Sequence, residues 1–389
     1  MGMEKIVRLA AEDYDYAVDF LNLVFSQAND PHDFERMLPK MWKRDDEHMG
    51  RHLAVKRDGR ILAMLGVYPL PVVIGGKKLI FSTVGNVATH LSERNRGLMA
   101  RLMDEAMIEL DRIEADAARL GGNRQRYNRY GFEHGGSCYN FNITDKNIQN
   151  TLGDLSDKYR FVKIERNDEA FMKRSQELFY QQPFFVDRID IENFYLTMCA
   201  WKNKPWAAFD ENSNMIGYLV ASPDGRNIAE QVADSTEHLT DMLGAWVTKN
   251  GVGSIHLKTA PWELSINQQL GRICERYDVS CASMFKIRRW DVIIDALFSL
   301  KSQIIPLPDG EVVIGIEDYG NILIGSDHNK TLCTRTNKNA DINIDRLNAT
   351  RLIFGPFPPS AVSVIPRNVA MQLNAWFPLP LSWNGQDRV

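Results

Sequence analysis

The feature that most constrains the fold is a run at residues 87–103, where the hydrophobic pattern changes its period. Residues 84–89 read as a strand, and a basic turn that ends in Gly97 follows them. The apolar residues after this turn recur with a helical period, which predicts an amphipathic helix. The first backbone N–H groups of a helix lack partners and attract negative charge. Strand, basic glycine turn and helix together therefore predict an anion-binding cradle.

The bulk composition is that of an ordinary globular chain with several domains. Its 389 residues exceed what one simple core accommodates, so two or three domains are expected. The formal net charge of −4 lacks the basic excess of a nucleic-acid-binding protein, so nucleic acid is not an expected partner. No apolar run reaches membrane-spanning length, and residues 1–10 lack the apolar core of a signal peptide.

The cysteines indicate a reducing environment. Five are present, an odd number, and none forms a CxxC pair: Cys138, Cys199, Cys274, Cys281 and Cys333. This pattern argues against a disulfide framework and against a zinc site. We therefore expect a cytoplasmic protein that is not associated with a membrane.

The first part of the chain reads as a mixed α/β unit with a central sheet. A strand and a helix are predicted within residues 5–28, and a strand–turn–strand unit within residues 52–67. A second hairpin turns at residues 75–76. The helix after the basic turn is followed by a predicted strand at residues 116–120.

The same order of elements then recurs between residues 206 and 258, which indicates an internal repeat. The unit at residues 5–120 is called the first copy, and its repeat the second copy. Strands are predicted at residues 206–210, 215–220, 230–233 and 254–258, with a helix at residues 237–249. Where the first copy has its basic turn, the second copy has Asp234, Ser235, Thr236 and Glu237. Carboxylates at this place would repel a phosphate group, so the second copy is predicted to be structural.

From about residue 290 the pattern changes again, to a small α+β unit. Strands are predicted at residues 312–317, 322–325 and 330–334, and helices at residues 341–354 and 370–377. Gly355 and Pro356 end the first of these helices.

The basic turn and a second motif at residues 127–132 together resemble the acyl-CoA site of the GNAT acetyltransferase superfamily. In that superfamily Arg-x-x-Gly-x-(Gly/Ala) holds the pyrophosphate and Tyr-x-x-x-Gly-Phe carries the acid. This chain has Arg94-Asn95-Arg96-Gly97-Leu98-Met99 and Tyr127-Asn128-Arg129-Tyr130-Gly131-Phe132. Met99 stands where most members have Gly or Ala, and Eis-like members also place a larger apolar residue there.

The order of the three parts resembles the Eis-like acetyltransferases over essentially the whole chain. The resemblance implies a catalytic GNAT domain at residues 1–148, a degenerate second GNAT domain at 149–288 and a sterol-carrier-protein-like domain at 289–389. The last match rests on residues 341–355 and 376–378. The expected fold class is α/β (α+β), with two tandem GNAT-fold domains and a small α+β domain. Relatives form symmetric oligomers, so a homo-oligomer is also implied.

The resemblance implies acetyl-CoA as co-substrate, no metal, and a role for each motif residue. The residues implied to bind acetyl-CoA are Val87, Ala88, Thr89, Arg94, Asn95, Arg96, Gly97, Leu98 and Met99. The Val87 N–H would stabilise the tetrahedral intermediate. Tyr127 would protonate the departing thiolate, for which a phenol pKa near 10 is suited. In Eis-like enzymes the terminal carboxylate is the base, which here is that of Val389; a water chain is the alternative.

Simpler interpretations exist for several of these residues. The basic turn alone is compatible with an ordinary helix start and solvated charge, and Tyr130 rivals Tyr127 for the acid role. His90 is expected to be a strand-end residue rather than a base. His48 and His52 have a spacing that binds metals on a helix, although we expect a solvated polar face.

An acceptor pocket is the remaining functional element to place. Its candidates precede the first hairpin, although surface charge and core aromatics explain them equally well: Phe25, Asp30, Asp33, Glu35 and Trp42. The sequence predicts an acetyl-CoA-dependent N-acetyltransferase that acts on a small cationic amine, such as an aminoglycoside-, polyamine- or lysine-like acceptor. The alternative is a non-catalytic acyl-CoA or lipid-binding carrier, which needs a large apolar cavity in residues 290–389.

Overall fold

Strands from both copies form one continuous 13-stranded sheet in this computed structural model, which describes residues 3–27, 30–155 and 157–389. The first copy contributes β1 (Lys5–Arg8), β2 (His52–Arg57), β3 (Arg60–Ile74), β4 (Lys77–Thr89), β5 (Ala117–Leu120) and β6 (Glu133–Thr144). The second contributes β7 (Arg160–Lys163), β8 (Phe184–Val186), β9 (Lys204–Phe209), β10 (Met215–Ala221), β11 (Asn227–Ala233), β12 (Ser254–Thr259) and β13 (Arg276–Ile287).

Helices cover both faces of this sheet and frame a second, smaller one. In the first copy they are α1 (Tyr14–Ser26), α2 (Phe34–Met37), α3 (Asp46–Met49), α4 (Leu98–Arg112), α5 (Arg124–Tyr127) and α6 (Asp145–Thr151). In the second they are α7 (Glu169–Phe179), α8 (Ile191–Met198), α9 (Thr236–Lys249) and α10 (Leu264–Ile273). The C-terminal part has α11 (Trp290–Ile304), α12 (Arg346–Phe354) and α13 (Ala370–Trp376).

The strand order joins the two copies within the sheet. It runs β1-β2-β3-β4-β5-β13-β6-β12-β11-β10-β9-β7, and β8 pairs with β3. Strand β13 therefore lies between β5 and β6, antiparallel to both. The predicted boundary between residues 148 and 149 falls inside α6. Because a late strand completes the sheet of the first copy, the two copies share one structural frame.

Each copy has one parallel strand pair that opens into a cleft. Strands β4 and β5 pair from Phe81 with Ala117 to Val84 with Leu120, and β4 then continues alone on that side to Thr89. In the second copy β11 pairs with β12 only at Asn227 and Ile228. The recurrence of this arrangement confirms the predicted α/β fold class.

Helix α4 has the amphipathic period that the sequence predicts. Its buried side chains are Leu98, Leu102, Met103, Ala106, Glu109 and Leu110. The apolar ones among them pack into one cluster with β3, β4 and β5. Burial of each large side chain contributes about 1.5–3 kcal/mol, which fixes the start of α4 beside the end of β4.

The C-terminal part forms a separate four-stranded sheet in the order β16-β15-β14-β17. Its strands are β14 (Gly310–Ile316), β15 (Gly320–Asp327), β16 (Lys330–Thr336) and β17 (Ile342–Ile344). The helix predicted at residues 341–354 was placed too early, because Ile342 and Ile344 pair with β14. Asp345 then caps α12 by accepting from two backbone N–H groups.

No helix among the described residues is long and apolar enough to cross a membrane. The longest helices, such as α4 and α11, instead bury an apolar face against the sheets.

Candidate functional site

A β-bulge interrupts β4 where it leaves β5. Gly85 pairs with Gly66 and Ala88 with Met64, so Asn86 and Val87 together oppose one residue of β3. Asn86 has a left-handed backbone, with φ of 55°. Val87, the second residue of the bulge, lines the cavity described below.

A buried chain of hydrogen bonds holds the bulge in place. The Asn86 amide donates to the Tyr68 hydroxyl at 2.6 Å, and that hydroxyl lies 2.8 Å from His52 Nε2. The other ring nitrogen of His52, Nδ1, contacts the Met49 carbonyl at 3.2 Å. Since a carbonyl only accepts, Nδ1 carries the proton and Nε2 accepts from Tyr68. Burial lowers the pKa of His52 to about 4, so the chain is neutral at physiological pH.

This geometry corrects the interpretation of the histidine pair. His52 is fully buried, and both of its ring nitrogens are engaged, so it is not part of a solvated polar face. His48 instead contacts Asp45 at 2.8 Å. The two histidines therefore do not form a metal site. His90 accepts from the N–H of Ser92 just after β4, in agreement with a strand-end role.

The basic turn presents an uncapped helix N-terminus. Asn95 and Gly97 have φ values of 62° and 75°, and Gly97 caps α4 without a side-chain hydrogen bond. Among the described residues, the N–H groups of residues 98–100 donate to no backbone carbonyl, and the first bond is from Arg101 to Gly97. These free N–H groups are suited to bind an anion.

The two arginines of the turn differ in their surroundings. Arg96 is held by Glu93 and by Glu4, the latter at 2.7 Å. Arg94 is exposed, and the part of the chain that the structure describes offers it no ion-pair partner. Arg94 is therefore the arginine of the turn whose charge is available to a ligand.

The second copy lacks such a cradle. At the N-terminus of α9, the Ser235 side chain accepts from the His238 N–H at 3.0 Å. Asp234 contacts the ring of the same histidine at 2.6 Å. The helix start is thus capped by its own side chains, and it carries a carboxylate where an anion would bind.

Tyr127 lies at the end of the one-turn helix α5, not at a strand end, and only 4% of it is exposed. Its ring packs against Gly122, where a Cβ atom would lie 3.1 Å from Tyr127 Cε2. Burial raises the pKa of Tyr127, and nearby Arg126 opposes this shift. Tyr130 is half-buried, accepts from Arg129 at 2.5 Å and does not line the cavity.

The C-terminal residue of the chain reaches the bulge of β4. A Cβ atom on Gly85 would lie 2.7 Å from Val389 Cγ2 and 3.5 Å from the Val389 oxygen. Only glycine at position 85 therefore leaves room for Val389. Val389 and Tyr127 line the same cavity.

That cavity has a volume of about 1430 Å³ and joins the clefts of the two copies. Its walls include Gly85, Val87 and Tyr127 from the first copy, Glu230, Gln231 and Trp262 from the second, and residues 382–389. The space exceeds the volume of a typical single-ligand pocket, so it can hold a cofactor arm and an acceptor together.

Of the candidate acceptor-pocket residues, only Phe25 lines the cavity. Trp42 is buried and stacks on the His52 ring at 4.6 Å. Asp33 caps α2, and Glu35 accepts from the Tyr14 hydroxyl at 2.7 Å. Asp30 does not line the cavity either. The core and surface interpretation holds for these four side chains.

Residues 5–135 match the family model described as an acetyltransferase (GNAT) domain. The match contains the bulge of β4, the basic turn and Tyr127. No curated protein sequence matches the chain significantly.

Solved structures extend the likeness of the fold from the GNAT domain to the whole chain. A GCN5-related N-acetyltransferase from Kribbella flavida has a TM-score of 0.69 at 16% identity, over 100% of this chain and 99% of that chain. Eis1 from Mycobacterium abscessus has 0.67 at 14% identity, over 100% of both chains. A probable N-acyltransferase from Enterococcus faecalis has 0.68 at 15% identity, over 98% and 97%. At these identities the likeness establishes the fold.

Sequence reasoning missed a buried cation in the wall of this cavity. Arg119 is 5% exposed, lines the cavity and has no hydrogen bond or ion pair among the described residues. Its guanidinium lies 5.7 Å from the ring of Trp383. Burial and the nearby charge of Arg388 lower the pKa of Arg119 to about 9, although Asp387 opposes this shift. An arginine inside the otherwise apolar strand β5 was the signal in the sequence.

Proposed function

We propose that the protein transfers an acetyl group from acetyl-CoA to a primary amine of a small cationic acceptor. The observation that carries this proposal is the convergence of the Val87 bulge, Tyr127 and the Val389 carboxylate on one cavity. Such a cavity offers an oxyanion donor, an acid and a base within one enclosed space.

Acetyl-CoA would enter along the open side of β4. Residues 94–99 would bind the pyrophosphate through the free N–H groups at the start of α4, with Arg94 alongside. Ala88 and Thr89 pair with β3 on one side, and their other edge lies beyond the last residue that pairs with β5. That edge is available to an extended pantetheine arm, and it leads to Val87.

The reaction would proceed by direct attack. The Val389 carboxylate accepts a proton from the acceptor ammonium, directly or through water, and the neutral amine attacks the thioester carbonyl. The N–H of Val87 stabilises the oxyanion of the tetrahedral intermediate. When the carbon–sulfur bond breaks, Tyr127 gives its proton to the departing thiolate. Because burial raises its pKa, Tyr127 remains protonated at neutral pH until that step. The nitrogen of the new amide then loses its extra proton through water, and Tyr127 regains a proton by the same route.

The cavity walls support a cationic acceptor in two ways. The terminal carboxylate attracts an ammonium group, and the aromatic side chains of Trp201 and Trp262, which line the cavity, can make cation–π contacts. An aminoglycoside-, polyamine- or lysine-like compound fits these features.

We further propose the three-domain division at residues 1–148, 149–288 and 289–389, with a sterol-carrier-protein-like third domain. The separate sheet β16-β15-β14-β17 supports the last division. Only residues 382–389 of this part line the cavity, which favours an enzyme over a lipid carrier. A cytoplasmic location agrees with five free cysteines. A homo-oligomer remains a proposal from resemblance.

Calorimetry with acetyl-CoA tests the proposal, on the wild type and on Gly97→Glu, followed by CoA release with a panel of amines. A carboxylate in the cradle repels the pyrophosphate, so we expect at least ~10-fold weaker binding in this variant. Thr236→Glu, at the corresponding helix start of the second copy, is the matched control and should bind normally. Absence of acetyl-CoA binding by the wild type would contradict the proposal.

A further inference from the structure

The second copy binds the side chains of the last residues of the chain, whereas Lys40 of the first copy donates to the Gln386 carbonyl at 2.6 Å. Gln386 and Asp387 are 1% and 2% exposed, although they lie within four residues of the chain end. Chain ends are usually poorly ordered unless specific contacts tie them down. Specific contacts must therefore hold this tail in place.

Arg188 is the centre of these contacts. Its guanidinium donates to Asp387 Oδ1 at 3.0 Å and to Glu230 Oε1 at 3.1 Å, and all three side chains are almost completely buried. It also stacks over the ring of Phe179 at 4.1 Å. Burial alone would lower the pKa of Arg188, but the carboxylates of Asp387 and Glu230 raise it well above its usual value. Arg188 is therefore a fixed cation that holds a tail carboxylate.

A second set of bonds fixes the tail beside this ion pair. The Gln386 amide donates to the carbonyls of Thr197 and Met198 at 3.0 and 2.9 Å, at the end of α8. Asn203 donates to the Gln386 side chain at 2.9 Å. Asn384 donates to Glu230 Oε2 at 2.6 Å. All three tail side chains are thus bound by the second copy.

The tail connects corresponding places in the two copies. Glu230 lies in β11 and Gly85 in β4, the strands that open a cleft beyond their parallel partners in the second and the first copy. Asn384 contacts Glu230, whereas Val389 lies over Gly85. Between the buried anchor at Asp387 and the chain end lie only Arg388 and Val389, so the anchor determines where the carboxylate can reach.

We infer that the second copy is the receptor for the C-terminal tail of the chain itself. Arg188 and Asp387 are then positioning residues, which hold the Val389 carboxylate in the site of the GNAT domain. This inference rests on the proposed function, because it takes that carboxylate as the base. The second copy, which has no anion cradle among its described residues, would then contribute to the reaction by positioning the base.

A comparison of the protein with its Asp387→Asn variant tests whether the second copy holds the C-terminal tail. Asparagine keeps the shape of the side chain but removes the charge that faces Arg188. We expect carboxypeptidase to remove Val389 and Arg388 from the variant at least ~10-fold faster, because the unanchored tail opens more often. Intact-mass spectrometry follows this loss without any activity assay. Asp327→Asn, an exposed substitution in β15, is the control. If carboxypeptidase removed these residues equally slowly from Asp387→Asn and from the wild type, the role of the second copy as receptor for the tail would be overturned.

Kinetics then test positioning. In Asp387→Asn, we expect kcat to fall by up to ~10²-fold, with acetyl-CoA affinity unchanged, because a misplaced base costs rate rather than cofactor binding.

One glycine inserted between Asp387 and Arg388 keeps the anchor but moves the carboxylate by up to ~3.5 Å. It should lower kcat similarly while Asp387 stays protected. Normal kcat in both variants would overturn positioning, whereas a wild type without acetyl transfer would instead refute the proposed function.

Discussion

The two copies of the fold place different chemistry at corresponding positions. At the start of α4 the first copy leaves backbone N–H groups free, whereas Ser235 caps the start of α9 in the second. On the neighbouring strands, Gly85 of β4 leaves space for the chain end, whereas Glu230 of β11 places a buried carboxylate beside Arg188. The backbone frame is retained in both copies, and a few side chains decide whether it offers an anion site.

The buried polar networks of the two copies differ in the same sense. In the first copy His52, Tyr68 and Asn86 form a neutral chain that supports the bulge. In the second copy Arg188, Glu230 and Asp387 form a charged one. A neutral network costs little to bury once its hydrogen bonds are made, whereas a charged one is costly when any partner is removed. Each network should therefore respond differently to substitution and to pH.

The largest expected effect lies in the chemistry that only the first copy has. Tyr127→Phe removes the proposed acid, so we expect kcat to fall by about 10²–10⁴-fold with little change in acetyl-CoA affinity. Tyr130→Phe is the matched control and should stay near the wild-type rate. Steady-state CoA release and calorimetry measure the two quantities. A larger loss in Tyr130→Phe would exchange the roles of the two tyrosines.

The next largest effect is a difference in stability between a buried ion pair of the second copy and an exposed ion pair of the first. Arg188→Met leaves Glu230 and Asp387 buried without the arginine that pairs with both, so we expect the free energy of unfolding to fall by about 3–5 kcal/mol. Arg96→Met removes an arginine whose side chain is 44% exposed, and should cost about 0–1 kcal/mol. Urea unfolding of both variants measures the difference. Similar losses in the two variants would mean that burial does not make the ion pairs of Arg188 more important for stability than those of Arg96.

The smallest effect is the pH dependence of the neutral network. Because burial lowers the pKa of His52 from 6.5 to about 4, the unfolded chain binds a proton more readily than the folded one between these values. The free energy of unfolding should therefore fall as pH decreases through this window, by about 1.4 kcal/mol per unit. His52→Gln should flatten the slope relative to wild type, whereas exposed His256→Gln should not. An unchanged slope in His52→Gln would assign the acid sensitivity to other groups.

Local periodicity was sufficient to predict much of the frame. Helices α4 and α9, strands β9 to β12 and strands β14 to β16 were expected from pattern alone. Strands β7, β8 and β13 and helices α7, α8 and α10 of the second copy were not predicted. Strand β17 was missed because its two β-branched residues directly precede the Asp345 cap. A helical window that is drawn across a cap residue hides a short strand of this kind.

Long-range contacts were beyond the reach of the sequence. No local signal places β13 between β5 and β6, because strand pairing depends on residues far apart in the chain. The partners of Arg188 were equally hidden, since Glu230 and Asp387 lie far from it in sequence. Charged residues within apolar strands, such as Arg119 and Glu230, were the visible signs that such contacts existed.

The place of β13 also has a consequence for how the protein is made. A ribosome adds about 5–20 residues per second, so β13 emerges on the order of ten seconds after β6. During that interval the nascent first copy has both neighbours of a missing strand but not the strand itself, and their unpaired edges can associate with other chains. A cell that produces this protein has to shield that gap until the second copy has been synthesised.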